Sequence, residues 1–213
     1  MKRTILIFVA ALFAVAAGLA LIEMHSLVAA QAPLPGAGAS STSTASSKPT
    51  GKLGYFQYND ANSRISAKIF LPESMGEWAV ENPWRNADKS LINDPQVFVV
   101  ANFQNVSSPR FFGLIRVSYD LHGYDCGVVF KKLAELDGLS LEKYSETDVQ
   151  GIKGGKVYVL AYASKDRTAT SKLVCDEKSA VELFVVAPSD GKFAEPMTTI
   201  VGSSELTIAA MAD

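Results

Sequence analysis

Residues 156–187 read KVYVLAYASKDRTATSKLVCDEKSAVELFVVA. The two ends, Lys156 to Ala163 and Ala180 to Ala187, are rich in Val, Leu, Tyr and Phe, the residues that suit a pleated, half-buried surface. Between them only Leu173 to Cys175 has strand character, as a short edge strand. No apolar repeat of helical period intervenes. Strands that follow one another without helices between them exclude a doubly wound parallel sheet. They point instead to an antiparallel sheet.

The flanking sequence extends this pattern. Gly154-Gly155 reads as a tight hairpin turn, joining a strand over Asp148 to Ile152 to the one that begins at Lys156. Leu53 to Tyr58, Ile65 to Leu71, Val97 to Phe103 and Phe111 to Tyr119 also read as strands. Ile65, Ala67, Ile69 and Leu71 alternate with Ser66, Lys68 and Phe70, which predicts one buried face. Glu73 to Asn93 has no clear period and reads as a loop with one short helical turn. Val128 to Leu136 places Val129, Leu133 and Leu136 on one helical face, opposite Lys131, Lys132 and Glu135. Asp137-Gly138 ends that helix, and Leu139 to Ser145 reads as a second short helix. Beyond the turn at Pro188 to Gly191, Lys192 to Ser204 is a weak helix entered near Pro196. Leu206 to Ile208 closes as a strand. The predicted fold is α+β: an antiparallel sheet of six or seven strands with one or two helices on one face.

This order of elements resembles the Mog1/PsbP fold. The resemblance rests on early strands LGYFQY and ISAKIFLPESMGEW, paired central strands VFVVANF and FFGLIRVSY, a helix, then GIKGGKVYVLAYA, AVELFVVAPSDGKF and TTIVGSSELTI. The run from a strand through Pro72 to Trp78 is similar to that family's strand-Pro-x-x-W opening. The resemblance covers most of Leu53 to Ile208. It implies a binding or accessory module and brings no catalytic residues with it.

Ahead of the domain, Lys2 and Arg3 precede an uncharged apolar run, Ile5 to Ile22. Such a run is an export signal or a membrane anchor. Val28-Ala29-Ala30 fits a small-x-small cleavage site, so residues 1–30 read as signal peptide or signal anchor. Residues 31–52 are rich in Ala, Ser, Thr, Gly and Pro and read as a disordered linker, spanning about 25 Å as a coil. Residues 53–213 form a single globular domain outside the cytoplasm, periplasmic or extracellular. If uncleaved, residues 5–22 would anchor it in the inner membrane, the domain's only membrane contact.

The chain carries 20 basic and 22 acidic residues, of which only Lys2, Arg3 and Glu23 precede Lys48. The domain is therefore near neutral and has no basic stripe, which disfavours nucleic-acid binding. Two cysteines in an exported domain predict one disulfide, Cys126 to Cys175. It closes a loop of roughly 50 residues, worth roughly 3–4 kcal/mol in the chain-entropy picture. A nucleophilic thiol or a redox pair is the alternative, and no C-x-x-C supports it.

The densest group of potential ligands is Asp120, His122 and Asp125. Oxygen and imidazole donors there could meet a divalent cation such as zinc or manganese. The competing reading is a polar turn that leads into the helix, with Asp125 at its N-terminus. A Ser–His–Asp hydrolase would have to use His122, and no G-x-S-x-G occurs. Gly151 to Lys156 lacks phosphate-loop spacing and reads as a hairpin. Trp78, Trp84, Phe111 and Phe112 read as core aromatics ahead of a binding patch. Asn105-Val106-Ser107 has the form of a glycosylation acceptor.

Export, a spacer and the lack of a catalytic constellation favour a non-enzymatic accessory or binding protein. It would act by contact with another envelope or extracellular protein and need no cofactor. A small exported hydrolase and a metal- or ligand-binding domain, both built on the Asp120–Asp125 turn, are the alternatives.

Overall fold

The computed structural model describes residues 50–51, 54–60, 65–87 and 95–209. The apolar run at 5–22, the cleavage site and linker residues 31–49 and 52 lie outside them. Among the described residues no helix is long and apolar enough to cross a membrane.

The elements in chain order are β1 (Thr50–Gly51), β2 (Tyr55–Asn59), β3 (Ile65–Phe70), β4 (Trp78–Glu81), β5 (Arg85–Asn86), β6 (Phe98–Asn105), β7 (Phe112–Ser118), α1 (Cys126–Leu136), β8 (Ser140–Asp148), β9 (Lys156–Ala163), β10 (Arg167–Cys175), β11 (Ala180–Pro188), α2 (Ala194–Ser203) and β12 (Glu205–Ile208). They form an α+β fold with two antiparallel sheets. The larger runs β1-β4-β6-β7-β11-β10-β9-β8, with β5 also paired to β6, and the smaller runs β12-β3-β2.

β11 explains the layering. Side chains alternate across a strand, and here both sets are apolar. Val181, Leu183, Val185 and Ala187 join one core, and Ala180, Phe184 and Val186 join the other. The first core lies under the small sheet and α2, which contribute Ile65, Ala67, Ile69, Met197, Ile200, Leu206 and Ile208. The second lies under α1, through Val129, Phe130, Leu133 and Ala134. A strand covered on both sides has no polar face, as the run AVELFVVA shows.

Several expectations are corrected. The strands make two sheets, because β2, β3 and β12 pair only with one another. The helices pack on opposite faces of the larger sheet, since each core needs its own cover. Residues 140–148, expected to begin helically, form the edge strand β8, paired from Ser140↔Ala163 to Asp148↔Lys156. The helix-forming Glu and Lys residues there are exposed, and cross-strand pairing decides. β10 runs over nine residues in the sheet interior rather than three at an edge. Its polar alternation (Thr168, Thr170, Lys172) hid it. The presumed loop 73–93 holds a 3-10 turn at Glu73–Met75 and the strands β4 and β5, while residues 88–94 lie outside the description. Thr50 and Gly51, inside the expected linker, pair with Ala79 and Trp78.

Candidate functional site

The register of the larger sheet aligns side chains into rows on the face that carries α1. Asn102 lies beside Leu114, and Leu114 beside Phe184; Gln104 lies beside Phe112, and Phe112 beside Val186. Arg116 and Glu182 form the next cross-strand pair. Further along, toward β10 and β9, α1 covers the face with Phe130 and Leu133. The β6–β7–β11 portion keeps an open cleft of about 370 Å³. Phe112, Leu114, Phe184 and Val186 make its apolar floor; Arg85 and Arg167 bring cationic groups to its lining, and Asp137, whose carboxylate lies 3.6 Å from Arg116, brings one anionic group.

The chain has specific reasons for placing those arginines. Arg85 belongs to β5 and pairs opposite Val99. The preceding residue, Trp84, has φ 38°, a left-handed conformation that is a true outlier for a bulky side chain. Its ring stacks on Phe98 (5.7 Å, 15°) and approaches Tyr119 (6.1 Å). The stack holds the reversed backbone that presents Arg85 on the other side of the sheet. Arg167 donates from Nη2 to the carbonyl of Asp137 at 2.8 Å, just past the end of α1.

Beside the cleft floor, Arg116 and Glu182 form a buried ion pair at 2.6 Å. Arg116 also lies 4.1 Å over the Phe184 ring and 3.6 Å from the Asp137 carboxylate. Burial pushes the Glu182 carboxyl above the usual carboxylate range, and the Arg116 guanidinium opposes that push. Burial likewise raises the Tyr162 phenol, reinforced by Glu182 and opposed by Arg116. A buried pair of this kind is weak evidence for stability and strong evidence for a position that tolerates no single change.

The Asp120–Asp125 turn has a structural explanation. Asp120 Oδ1 accepts from the His122 backbone N–H at 2.8 Å, and its other oxygen lies 3.6 Å from His122 Nδ1. His122 and Gly123 both have positive φ, 49° and 79°. Asp125 caps α1 by accepting from the Val128 N–H at 2.9 Å. A carboxylate there satisfies an otherwise orphaned donor. Among the described residues no group of three or more His, Cys, Asp or Glu is placed to hold a metal ion.

Cys126 opens α1 and Cys175 ends β10, and the two are joined in a disulfide across 49 residues. The bond fastens the helix start to the sheet, and both residues are buried. Trp78 and Phe111 are core residues that meet edge-to-face at 5.6 Å, Phe112 is half-buried, and Trp84 is 55 % exposed. Asn105 of the glycosylation tripeptide is buried, and its amide donates to the Met75 carbonyl at 2.9 Å.

Sequence reasoning missed Arg116, Glu182 and the two rim arginines. A signal existed for the buried pair, because each is the lone charge inside an apolar strand, FGLIRVS and AVELFVVAP. Arg85 and Arg167 sat in segments read as irregular and carried no such mark.

No family model and no curated protein matches this chain. Among solved structures it is similar to the solution structure of cyanobacterial PsbP (CyanoP) from Synechocystis sp. PCC 6803, at 12 % identity and a TM-score of 0.48, covering 72 % of this chain and 93 % of that one.

Proposed function

We propose that this chain is a non-enzymatic accessory domain that works outside the cytoplasm by contact with another protein. The disulfide carries the reading. A buried Cys126–Cys175 bond is the kind that persists in oxidising compartments and is rare in the cytosol. The charged apolar leader pattern at residues 2–22 agrees with that address. The cleft floored by Phe112 and Leu114 supplies a contact surface with an apolar centre and a charged rim, the anatomy of a protein interface.

The test is photocrosslinking in the native cell, with a benzophenone side chain at position 112 of the full chain. The expected result is one trapped protein at near-stoichiometric yield, from a chain whose two cysteines are oxidised. A cytosolic chain with both thiols reduced, or a crosslinker that traps no protein, refutes the proposal.

A further inference from the structure

The cleft has a chemical character that narrows its occupant. We propose that it receives a short, extended peptide segment of the partner in which apolar and acidic side chains alternate. This inference rests on reading the domain as a contact module.

Three observations support it. First, the floor is a patch of registered strands, with Leu114 beside Phe184 and Phe112 beside Val186, and of these Phe112 and Leu114 keep exposed surface. An extended chain turns alternate side chains to opposite sides, so one set can rest on this patch. Second, Arg85 and Arg167 are carried by β5 and β10, with β6, β7 and β11 between those strands. Guanidinium groups on both flanks of an apolar floor complement carboxylates on the other set, and planar guanidinium suits carboxylate geometry. Arg167 spends one N–H on the Asp137 carbonyl and its Nε lies 3.8 Å from the exposed Asp166 carboxylate; a guanidinium carries five N–H donors, so others remain for a ligand. Third, the β6 side of the floor is amide-lined, by Asn102 and Gln104. Gln104 donates its amide nitrogen to the Pro109 carbonyl at 2.8 Å, which leaves its side-chain oxygen to accept. Peptide N–H groups match such acceptors, whereas a fatty carboxylate offers them nothing. The backbone reversal at Trp84, held by the stack on Phe98, sets the side of the sheet from which Arg85 departs.

The experiment uses the full chain and fluorescence anisotropy with three probes: a fluorescein-labelled peptide of alternating Leu and Glu, its alternating Leu and Lys counterpart, and decanoate as competitor. The Leu–Glu peptide is expected to bind saturably and less well as salt is raised. The Leu–Lys peptide should not bind, and decanoate should not displace. Arg85→Glu with Arg167→Glu should weaken binding by at least about tenfold through lost attraction and added repulsion. Arg85→Glu alone, at an exposed position, should give part of that loss with an unchanged urea midpoint. Equal binding of both peptides, displacement by decanoate, or an unaltered affinity in the charge-reversed chain overturns the inference. If the Leu–Glu peptide fails while the crosslinker at position 112 still traps a protein, this inference falls and the contact reading stands; if both fail, both fall.

Discussion

Replacing both Cys126 and Cys175 with Ala should cost this domain a large share of its stability. The bond closes a loop with a sequence separation of 49. In the chain-entropy picture, releasing a loop of that length returns about 14 cal/mol/K to the unfolded chain, or about 4 kcal/mol at room temperature. Alanine leaves no buried hydroxyl to satisfy, but it also removes two buried sulfur atoms, so the variant carries a cavity cost on top of the lost crosslink. Ordinary domains hold only about 5–15 kcal/mol in total, and in a domain of this size 4 kcal/mol lowers Tm by roughly 8–16 °C. The assay is urea unfolding at neutral pH, run on the native chain with and without reductant and on the double variant. The reduced chain should show a lowered midpoint, and the variant one at least as low, since it also loses two buried sulfur atoms. Both should also show a larger m, because the unfolded chain without its bridge exposes more surface. A loss below about 1 kcal/mol with unaltered m would refute the reasoning that the bridge acts by constraining the unfolded chain.

The buried ion pair gives a second prediction. Arg116→Met leaves Glu182 buried without its counter-charge and should cost about 3–5 kcal/mol at neutral pH, whereas Arg116→Met with Glu182→Leu should return near the native value. Burial raises the Glu182 pKa, more so once Arg116 is gone. A raised carboxyl favours the folded state at low pH and loses that contribution as pH climbs through the folded value. The single variant's deficit should therefore shrink on acidification, read from urea midpoints across a pH series. Asp125→Ala removes the cap on Val128 and should cost about 1 kcal/mol by thermal unfolding. Gly113→Ala drives a methyl into the Phe103 ring in a closed core; overpacking should cost about 1–3 kcal/mol, with the loss visible in near-UV circular dichroism.

Legibility along the chain followed how local each cause is. The alternation ISAKIF reproduces the burial of β3 residue by residue, and VVFKKLAEL marked α1, whose Val129 and Leu133 meet the core with Phe130 and Ala134, while Leu136, expected on the same face, is exposed. Both signals are side-chain periods, readable within a few residues. β8 was misread because SLEKYSETD is exposed along almost its whole length; with no buried face it has no period, and its conformation comes from pairing with β9. β5 spans only two residues and exists because β6 lies alongside. The turn at Asp120–Asp125 drew attention through its composition; Asp120 Oδ1 and Asp125 Oδ1 accept backbone N–H groups of the turn and of the helix start.

By itself the amino-acid order determined the strand-rich α+β class, the amphipathic α1 and the pairing of the only two cysteines, because each depends on neighbours in sequence or on there being one possible partner. Tertiary structure alone decided that there are two sheets, that α1 and α2 cover opposite faces, and that Arg85, Arg167, Asn102 and Phe112 line one cleft. Those residues lie on strands brought together by register, and register is set by which faces must be buried across the whole domain, a condition no short window contains.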